Sequence, residues 1–66
     1  MRIIVNGTPR DVHDRLTVAQ LLAKLELASQ QVAVEVNREL VPRGRHESRF
    51  LGADDHVEIV TLVGGG

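Results

Sequence analysis

The chain carries three consecutive glycines, Gly64, Gly65 and Gly66, directly after an apolar run at residues 57–63. Glycine loses more conformational freedom on ordering than any other residue, so folding stability does not explain such a run. A segment without side chains can instead be threaded into a narrow site where any Cβ would collide. The sequence therefore predicts that the carboxylate of Gly66 is a chemical handle and that Gly64 and Gly65 are its tether.

The other residue types that could do chemistry are scattered. His13, His46 and His56 lack the spacing of metal ligands, and there is no cysteine to supply a thiolate. We therefore expect these histidines to lie at the surface or in turns rather than to bind zinc or act as a general base. The glycine run follows a strand-like segment and does not open a helix, so it does not match a phosphate-binding or dinucleotide-binding loop.

A local basic cluster lies in the second half of the chain and is interrupted by Glu39 and Glu47. Such a cluster is usually a solvated face, and orientation on an acidic partner is the alternative. Without interleaved aromatic residues it does not resemble a platform for single-stranded nucleic acid. The cluster consists of Arg38, Arg43, Arg45 and Arg49.

Length and composition predict one small domain. The 66 residues are 42% hydrophobic with one aromatic, Phe50, so the core must be built from Val, Leu and Ile. The net charge of −1 does not create the field of a general nucleic-acid or anionic-membrane binder. There is no secretory signal pattern and no apolar run of membrane-spanning length. We expect a cytoplasmic protein that is monomeric when free and holds no bound cofactor.

The elements that position the glycine segment begin with a hairpin. Residues 2–6 are mostly β-branched, and Asn6-Gly7 favours the positive φ angles of a type I′ turn. A second strand over residues 9–13 would contain Pro9, which cannot donate a ladder hydrogen bond. This second strand is therefore predicted at an edge of the sheet.

One amphipathic helix follows. Thr17 and Gln20 have the spacing of a capping box, and apolar residues then recur with helical period at Val18, Leu21, Leu22 and Leu25. The pattern predicts a helix over about residues 18–26.

Three further strand segments are indicated. Val32, Val34 and Val36 alternate with Ala33 and Glu35, which predicts a half-buried strand facing the helix. Residues 40–41 predict a very short strand, and residues 52–55 predict a turn into the final strand at 57–63. The intervening polar segment at 43–49 carries no clear periodicity.

This order predicts an α+β fold, a ubiquitin-like β-grasp with a mixed four- to five-stranded sheet packed on one helix, although other α+β topologies fit the pattern alone. The predicted domain spans residues 1–63, and residues 64–66 form a flexible tail. One helix covers only one face of the sheet. Strict alternation places Ile4, Val60 and Leu62 on the other face, where an apolar patch beside the tail would dock a partner. Ordinary scattered surface residues are the alternative interpretation.

Three segments give the chain a resemblance to a known family. They read MRIIVNG at 1–7, VEVNRELVPR at 34–43 and VEIVTLVGGG at 57–66, and together they are similar to the sulfur carrier proteins of thiamine biosynthesis, the ThiS family. The likeness covers essentially the whole chain. Two positions depart from the family pattern, since Asn37-Arg38 stands where Asn-Gly is frequent and 53–55 stands where Asp-Gly-Asp is frequent. If these turns need a left-handed residue, Asp54 tolerates that geometry better than Arg38 does.

The resemblance implies a carrier and co-substrate instead of an enzyme. An E1-like adenylyltransferase would use ATP to adenylate Gly66, and a sulfur donor such as a cysteine desulfurase would convert the acyl adenylate to a thiocarboxylate. Thiazole synthase would then take the sulfur to build thiazole phosphate from a deoxyxylulose phosphate and a glycine-derived imine. Because ordering a backbone residue costs roughly 1 to 2 kcal/mol, we expect the tail to become ordered only inside each partner.

Two other functions remain open at this stage. The small subunit of molybdopterin synthase has a similar fold and a Gly-Gly end, although that family tends to be longer and richer in aromatics near its tail. A β-grasp interaction module without covalent chemistry is the second alternative, and for it Gly65 and Gly66 would be dispensable.

Overall fold

A computed structural model describes residues 1–62, so Val63 and the predicted tail at 64–66 lie outside the described residues. Its elements are β1 (Arg2–Val5), β2 (Thr8–Asp11), α1 (Val18–Lys24), β3 (Val32–Val36), β4 (Glu39–Val41), a 3₁₀ turn (Arg43–Arg45) and β5 (His56–Thr61). The strands form one five-stranded sheet in the order β2-β1-β5-β3-β4. β1 and β5 are parallel, and the other pairs are antiparallel. The predicted mixed sheet with one helix is confirmed.

The start of α1 follows the predicted capping box. The Gln20 amide donates to the Thr17 hydroxyl at 3.1 Å, and the Thr17 amide donates to the Gln20 side-chain oxygen at 2.9 Å. These two bonds satisfy donors that the first helical turn would otherwise leave open. Val18, which follows the cap, is fully buried.

The end of α1 is earlier than predicted, at Lys24 instead of residue 26. Glu26 adopts a left-handed φ of 60°, and its amide donates to the Ala23 carbonyl at 3.1 Å. The Leu27 amide reaches back to the Leu22 carbonyl at 2.8 Å. This pair of bonds is the Schellman arrangement, here with glutamate where glycine is usual. The helical period continued through this turn in the sequence, which is why the period alone placed the end too late.

The strand boundaries differ from the predictions by one or two residues. β2 runs Thr8–Asp11 instead of 9–13, and β5 runs His56–Thr61 instead of starting at residue 57. β2 lies at an edge of the sheet, as the proline at position 9 predicted. β3 matches its predicted bounds, Val32–Val36.

The core lies between α1 and one face of the sheet and is aliphatic. Two of its residues come from connecting segments: Leu16 is fully buried before the helix, and Leu51 is buried before β5. The Leu51 amide donates to the Leu16 carbonyl at 2.8 Å, so a backbone hydrogen bond joins these two segments. The remaining buried hydrophobic residues are Ile3, Val5, Val18, Leu21, Leu22, Val34, Val36, Val41, Val57 and Ile59.

Two hairpin turns share one backbone geometry. Asn6 and Gly7 have φ angles of 48° and 82°, and Asn37 and Arg38 have φ angles of 51° and 70°. Positive φ at both central residues is the type I′ pattern that matches the twist of paired strands. Asp54 is also left-handed, with a φ of 67°. Both positions that depart from the family pattern therefore hold positive-φ turns, and Arg38 is the less suited of the two residues.

Candidate functional site

The strand β5 leads directly toward the glycine segment, and its side chains alternate as predicted. Val57 and Ile59 are buried against the core, whereas Glu58 is exposed. Val60 is 58% exposed and Leu62, just beyond the strand, is 52% exposed. The root of the glycine segment therefore presents two apolar side chains to solvent. The tail residues Gly64, Gly65 and Gly66 lie outside the described residues, and their chemical role stays a prediction.

The Asn6 side chain extends the contact between β1 and β5 beyond the end of β1. Its oxygen accepts a hydrogen bond from the Ile59 amide at 2.8 Å, and its nitrogen donates to the Ile59 carbonyl at 3.2 Å. The Asn6 backbone amide also donates to the Val57 carbonyl at 2.9 Å. The side-chain carboxamide thus binds the N–H and C=O of Ile59 as the backbone of a neighbouring strand would. It holds β5 in place three positions before Leu62. In the sequence, the Asn6-Gly7 pair predicts only a turn, and nothing in it indicates the contact with Ile59.

Asn37 holds the opposite flank of β5 at its start. Its side-chain oxygen accepts from the His56 amide at 3.0 Å, and its side-chain nitrogen donates to Asp55 at 3.0 Å. Asp55 also accepts from the Gly52 amide at 2.7 Å, which closes the predicted turn over residues 52–55. The first residue of each type I′ turn therefore binds the central strand.

Ile4 does not share one contiguous apolar patch with Val60 and Leu62. β1 and β5 are neighbours, as predicted, but their register places Ile4 opposite His56. Val60 lies four positions beyond His56 on β5, which is about 13 Å along the strand at the usual rise per residue. The single patch expected from alternation alone is therefore wrong, because alternation fixes the face of a strand and not its register. A docking role for each residue stays a prediction.

The open face of the sheet, opposite α1, carries apolar and acidic groups in adjacent rows. Glu58 on β5 lies directly opposite Glu35 on β3, and Glu35 lies opposite Leu40 on β4. The next row pairs Val60 with Ala33. Leu40 is 65% exposed, the highest exposure among the large hydrophobic residues of positions 1–62. Glu35, Glu58 and Leu40 carry no signal in the sequence pattern, because their adjacency depends on the strand register.

The three histidines do not come together. His13 and His56 lie at the surface, as expected, whereas His46 is buried with 8% exposure. The Nε2 atom of His46 lies 3.1 Å from the Val41 carbonyl, and the His46 carbonyl accepts from the Ala19 amide at 2.8 Å. His46 lies in a turn, at the end of the 3₁₀ segment, so the expected turn position is met, although the residue is buried instead of exposed.

The remaining candidate groups form no site within residues 1–62. No group of three or more histidine, aspartate or glutamate side chains in this part of the chain is placed to hold a metal ion. Arg38, Arg43 and Arg45 of the basic cluster are exposed, and Arg49 is half-buried. In the same range, no helix has both the length and the apolar character that a membrane crossing requires.

Comparison with known proteins places the chain in a family. The ThiS family model matches residues 3–66. The crystal structure of the thiamine biosynthesis protein ThiS from Geobacter metallireducens superposes with a TM-score of 0.85 at 35% identity, covering 100% of both chains. The sulfur carrier protein ThiS of Bacillus subtilis is 40% identical over 53 residues, which are 80% of this chain and 80% of that protein.

A thiazole synthase of Paramagnetospirillum magneticum is also similar, at 38% identity over all 66 residues. The chain spans only 20% of the length of that relative. A segment like this chain thus occurs within a longer protein that bears the name of a synthase. From the match over residues 3–66 and the shared fold, the chain belongs to the ThiS family, the sulfur carriers of thiamine biosynthesis.

Proposed function

We propose that this chain carries sulfur as a thiocarboxylate on Gly66 and delivers it for thiazole formation in thiamine biosynthesis. The observation that carries the proposal is the family match, which runs through the glycine segment to residue 66. In the cytoplasm, the chain would act as a substrate of its partner enzymes and would not itself catalyse a step.

The chemistry needs an activated carboxylate, because a free carboxylate is too poor an electrophile to exchange oxygen for sulfur. An E1-like adenylyltransferase would let the Gly66 carboxylate attack the α-phosphorus of ATP, with pyrophosphate leaving. Sulfide would then displace AMP from the acyl carbon and give the thiocarboxylate directly. A persulfide on a cysteine desulfurase would instead displace AMP to form an acyl disulfide, and a second thiol would reduce this bond, releasing the thiocarboxylate and leaving a disulfide. The product is a thiocarboxylate, and the ATP is bound by the adenylyltransferase and not by this chain.

The folded part would supply docking, and the glycine segment would supply reach. Val60 and Leu62 are apolar and exposed at the root of the segment, so a partner that covers them would bring its active site close to the residues that must enter it. Asn6 fixes β5 beside these side chains through its two hydrogen bonds with Ile59. Because the end of β5 is held in place, the glycine segment would lose less conformational freedom when it enters a partner's active site.

The name of the thiazole synthase relative supports thiazole synthase as the acceptor of the sulfur. In that relative, a segment similar to this chain and a longer remainder belong to one polypeptide. Such joining fits proteins that must meet in every catalytic cycle, because a shared chain raises their effective concentration.

The proposal is tested by intact-mass analysis after incubation with ATP, the activating enzyme and a sulfur donor. We expect a mass increase equal to the replacement of one oxygen by sulfur, localised to Gly66 by fragmentation. Omission of ATP and a variant lacking Gly65 and Gly66 are the controls. An unchanged mass with an activating enzyme that is active on another carrier would refute the proposal. Transfer of the sulfur to thiazole synthase, and not to a molybdopterin-type acceptor, would identify the pathway.

A further inference from the structure

The open face of the sheet contains a pair of like charges that folding does not require. Glu35 and Glu58 are directly opposite residues of the antiparallel strands β3 and β5. Directly opposed like charges destabilise a sheet. Within residues 1–62, neither carboxylate forms an ion pair, although Arg38 lines the same shallow depression as Glu58. Glu58 is exposed and Glu35 is half-buried, and neither carboxylate is neutralised by a cation in contact within these residues.

Two exposed apolar side chains adjoin this pair. Leu40, at 65% exposure, is the cross-strand neighbour of Glu35. Val60, at 58% exposure, follows Glu58 on the same face of β5. Two carboxylates with an apolar side chain beside each are suited to a protein surface that combines apolar contacts with a cationic side chain. It does not suit nucleic acid or an anionic membrane, which would be repelled by the carboxylates.

We propose that the open face is covered by thiazole synthase, and that the synthase places an arginine or lysine side chain between Glu35 and Glu58 while apolar groups contact Leu40 and Val60. This inference rests on the proposed function. The choice of synthase follows from the relative in which a segment like this chain is part of a thiazole synthase. A guanidinium group can donate hydrogen bonds to both carboxylates, so a destabilising repulsion in the free carrier would be replaced by attraction in the complex.

The mechanism has a signature that a structural role would not produce. Replacing both carboxylates by amides removes the repulsion in the free carrier, so its melting temperature should stay equal or rise. The same change removes the attraction in the complex, so affinity should fall. Opposite directions for stability and binding separate a docking residue from a residue that only supports the fold.

The test compares E35Q/E58Q with the unchanged chain for binding to purified cognate thiazole synthase by isothermal titration calorimetry. We expect affinity to fall about tenfold or more, and we expect the salt dependence of binding to become weaker. Glu47→Gln is the control for the carboxylate-to-amide change, because it removes one such charge at an exposed residue that lies beside Ala19 of α1 and not on the open face, whereas E35Q/E58Q removes two. This control should bind as the unchanged chain does.

Thiocarboxylation of the same samples separates the two proposals. If the unchanged chain gains sulfur and binds the synthase, but E35Q/E58Q binds equally well, the docking inference is overturned and the proposed function stands. If the unchanged chain neither gains sulfur nor binds the synthase, both are overturned. A loss confined to binding of the activating enzyme, or a change only in self-association, would also overturn the assignment of this face to the synthase.

Discussion

Replacing Arg38 by glycine should stabilise the protein, because Arg38 occupies a backbone conformation that favours glycine. Its φ is 70°, next to Asn37 at 51° in the turn between β3 and β4. A non-glycine residue in the left-handed region costs roughly 1 to 2 kcal/mol. Glycine also has more conformational freedom than arginine in the unfolded chain, which reduces this gain in stability by about 0.4 to 1 kcal/mol. The expected net gain is about 0.5 to 1 kcal/mol, or roughly 2 to 8 °C in melting temperature for a domain of this size.

The turn between β1 and β2 provides the reciprocal experiment. Gly7 has a φ of 82°, and a Cβ added there would meet no heavy atom within 4 Å. Gly7→Ala therefore introduces the left-handed penalty without a steric clash, and it should destabilise the protein by about 0.5 to 1 kcal/mol. Glycine at a positive φ should therefore raise the free energy of unfolding in one turn, and its removal should lower it in the other.

Thermal and urea unfolding followed by far-UV circular dichroism measures both effects. Tryptophan and tyrosine are absent from the chain, so intrinsic fluorescence is not a practical probe. Arg38→Ala is the essential control, because it removes the arginine side chain but keeps a Cβ at the positive φ. If Arg38→Gly is no more stable than Arg38→Ala, the backbone explanation is refuted.

Three further substitutions test other contacts. Asn6→Asp keeps the acceptor for the Ile59 amide but sets a carboxylate oxygen against the Ile59 carbonyl, so denaturant unfolding should show a loss of about 1 to 3 kcal/mol; an unchanged midpoint would contradict the role given to this side chain. Thr17→Ala removes the hydroxyl that accepts from Gln20 and should cost about 1 kcal/mol in the same assay, whereas Gln20→Ala leaves that bond in place and should cost less. Val60→Lys should leave the free energy of unfolding within about 0.5 kcal/mol but weaken binding to thiazole synthase in calorimetry; retained affinity would argue against docking at this position.

The local features of the fold were predictable because they depend on residues close together in sequence. The Thr17–Gln20 cap, the Asn6-Gly7 turn and the edge position of the strand containing Pro9 each follow from local hydrogen-bonding capacity or dihedral preference. The end of α1 was not predicted, because Glu26 adopts a conformation for which glycine is the usual signal.

Features that depend on strand register were beyond the sequence pattern. Period-two alternation places Ile4 and Val60 on one face, but only the pairing of Ile4 with His56 shows that they are far apart. For the same reason, the sequence pattern did not predict that Glu35 and Glu58 lie directly opposite each other. The burial of His46 was not predicted, because it depends on the fold of a polar segment that carries no periodic signal.

The central position of β5 has a consequence for the order of folding. The two hairpins, β1 with β2 and β3 with β4, each pair with β5, and within residues 1–62 they do not pair with each other. During synthesis, both hairpins and α1 leave the ribosome before β5 does. The sheet can therefore form only after β5 has been synthesised. The contacts between β5 and β1 span about fifty residues of sequence, and closing so long a loop costs conformational entropy and slows folding. The strand that completes the sheet is also the one that leads to the glycine segment, so a correctly placed root is available to partner enzymes only on a folded molecule.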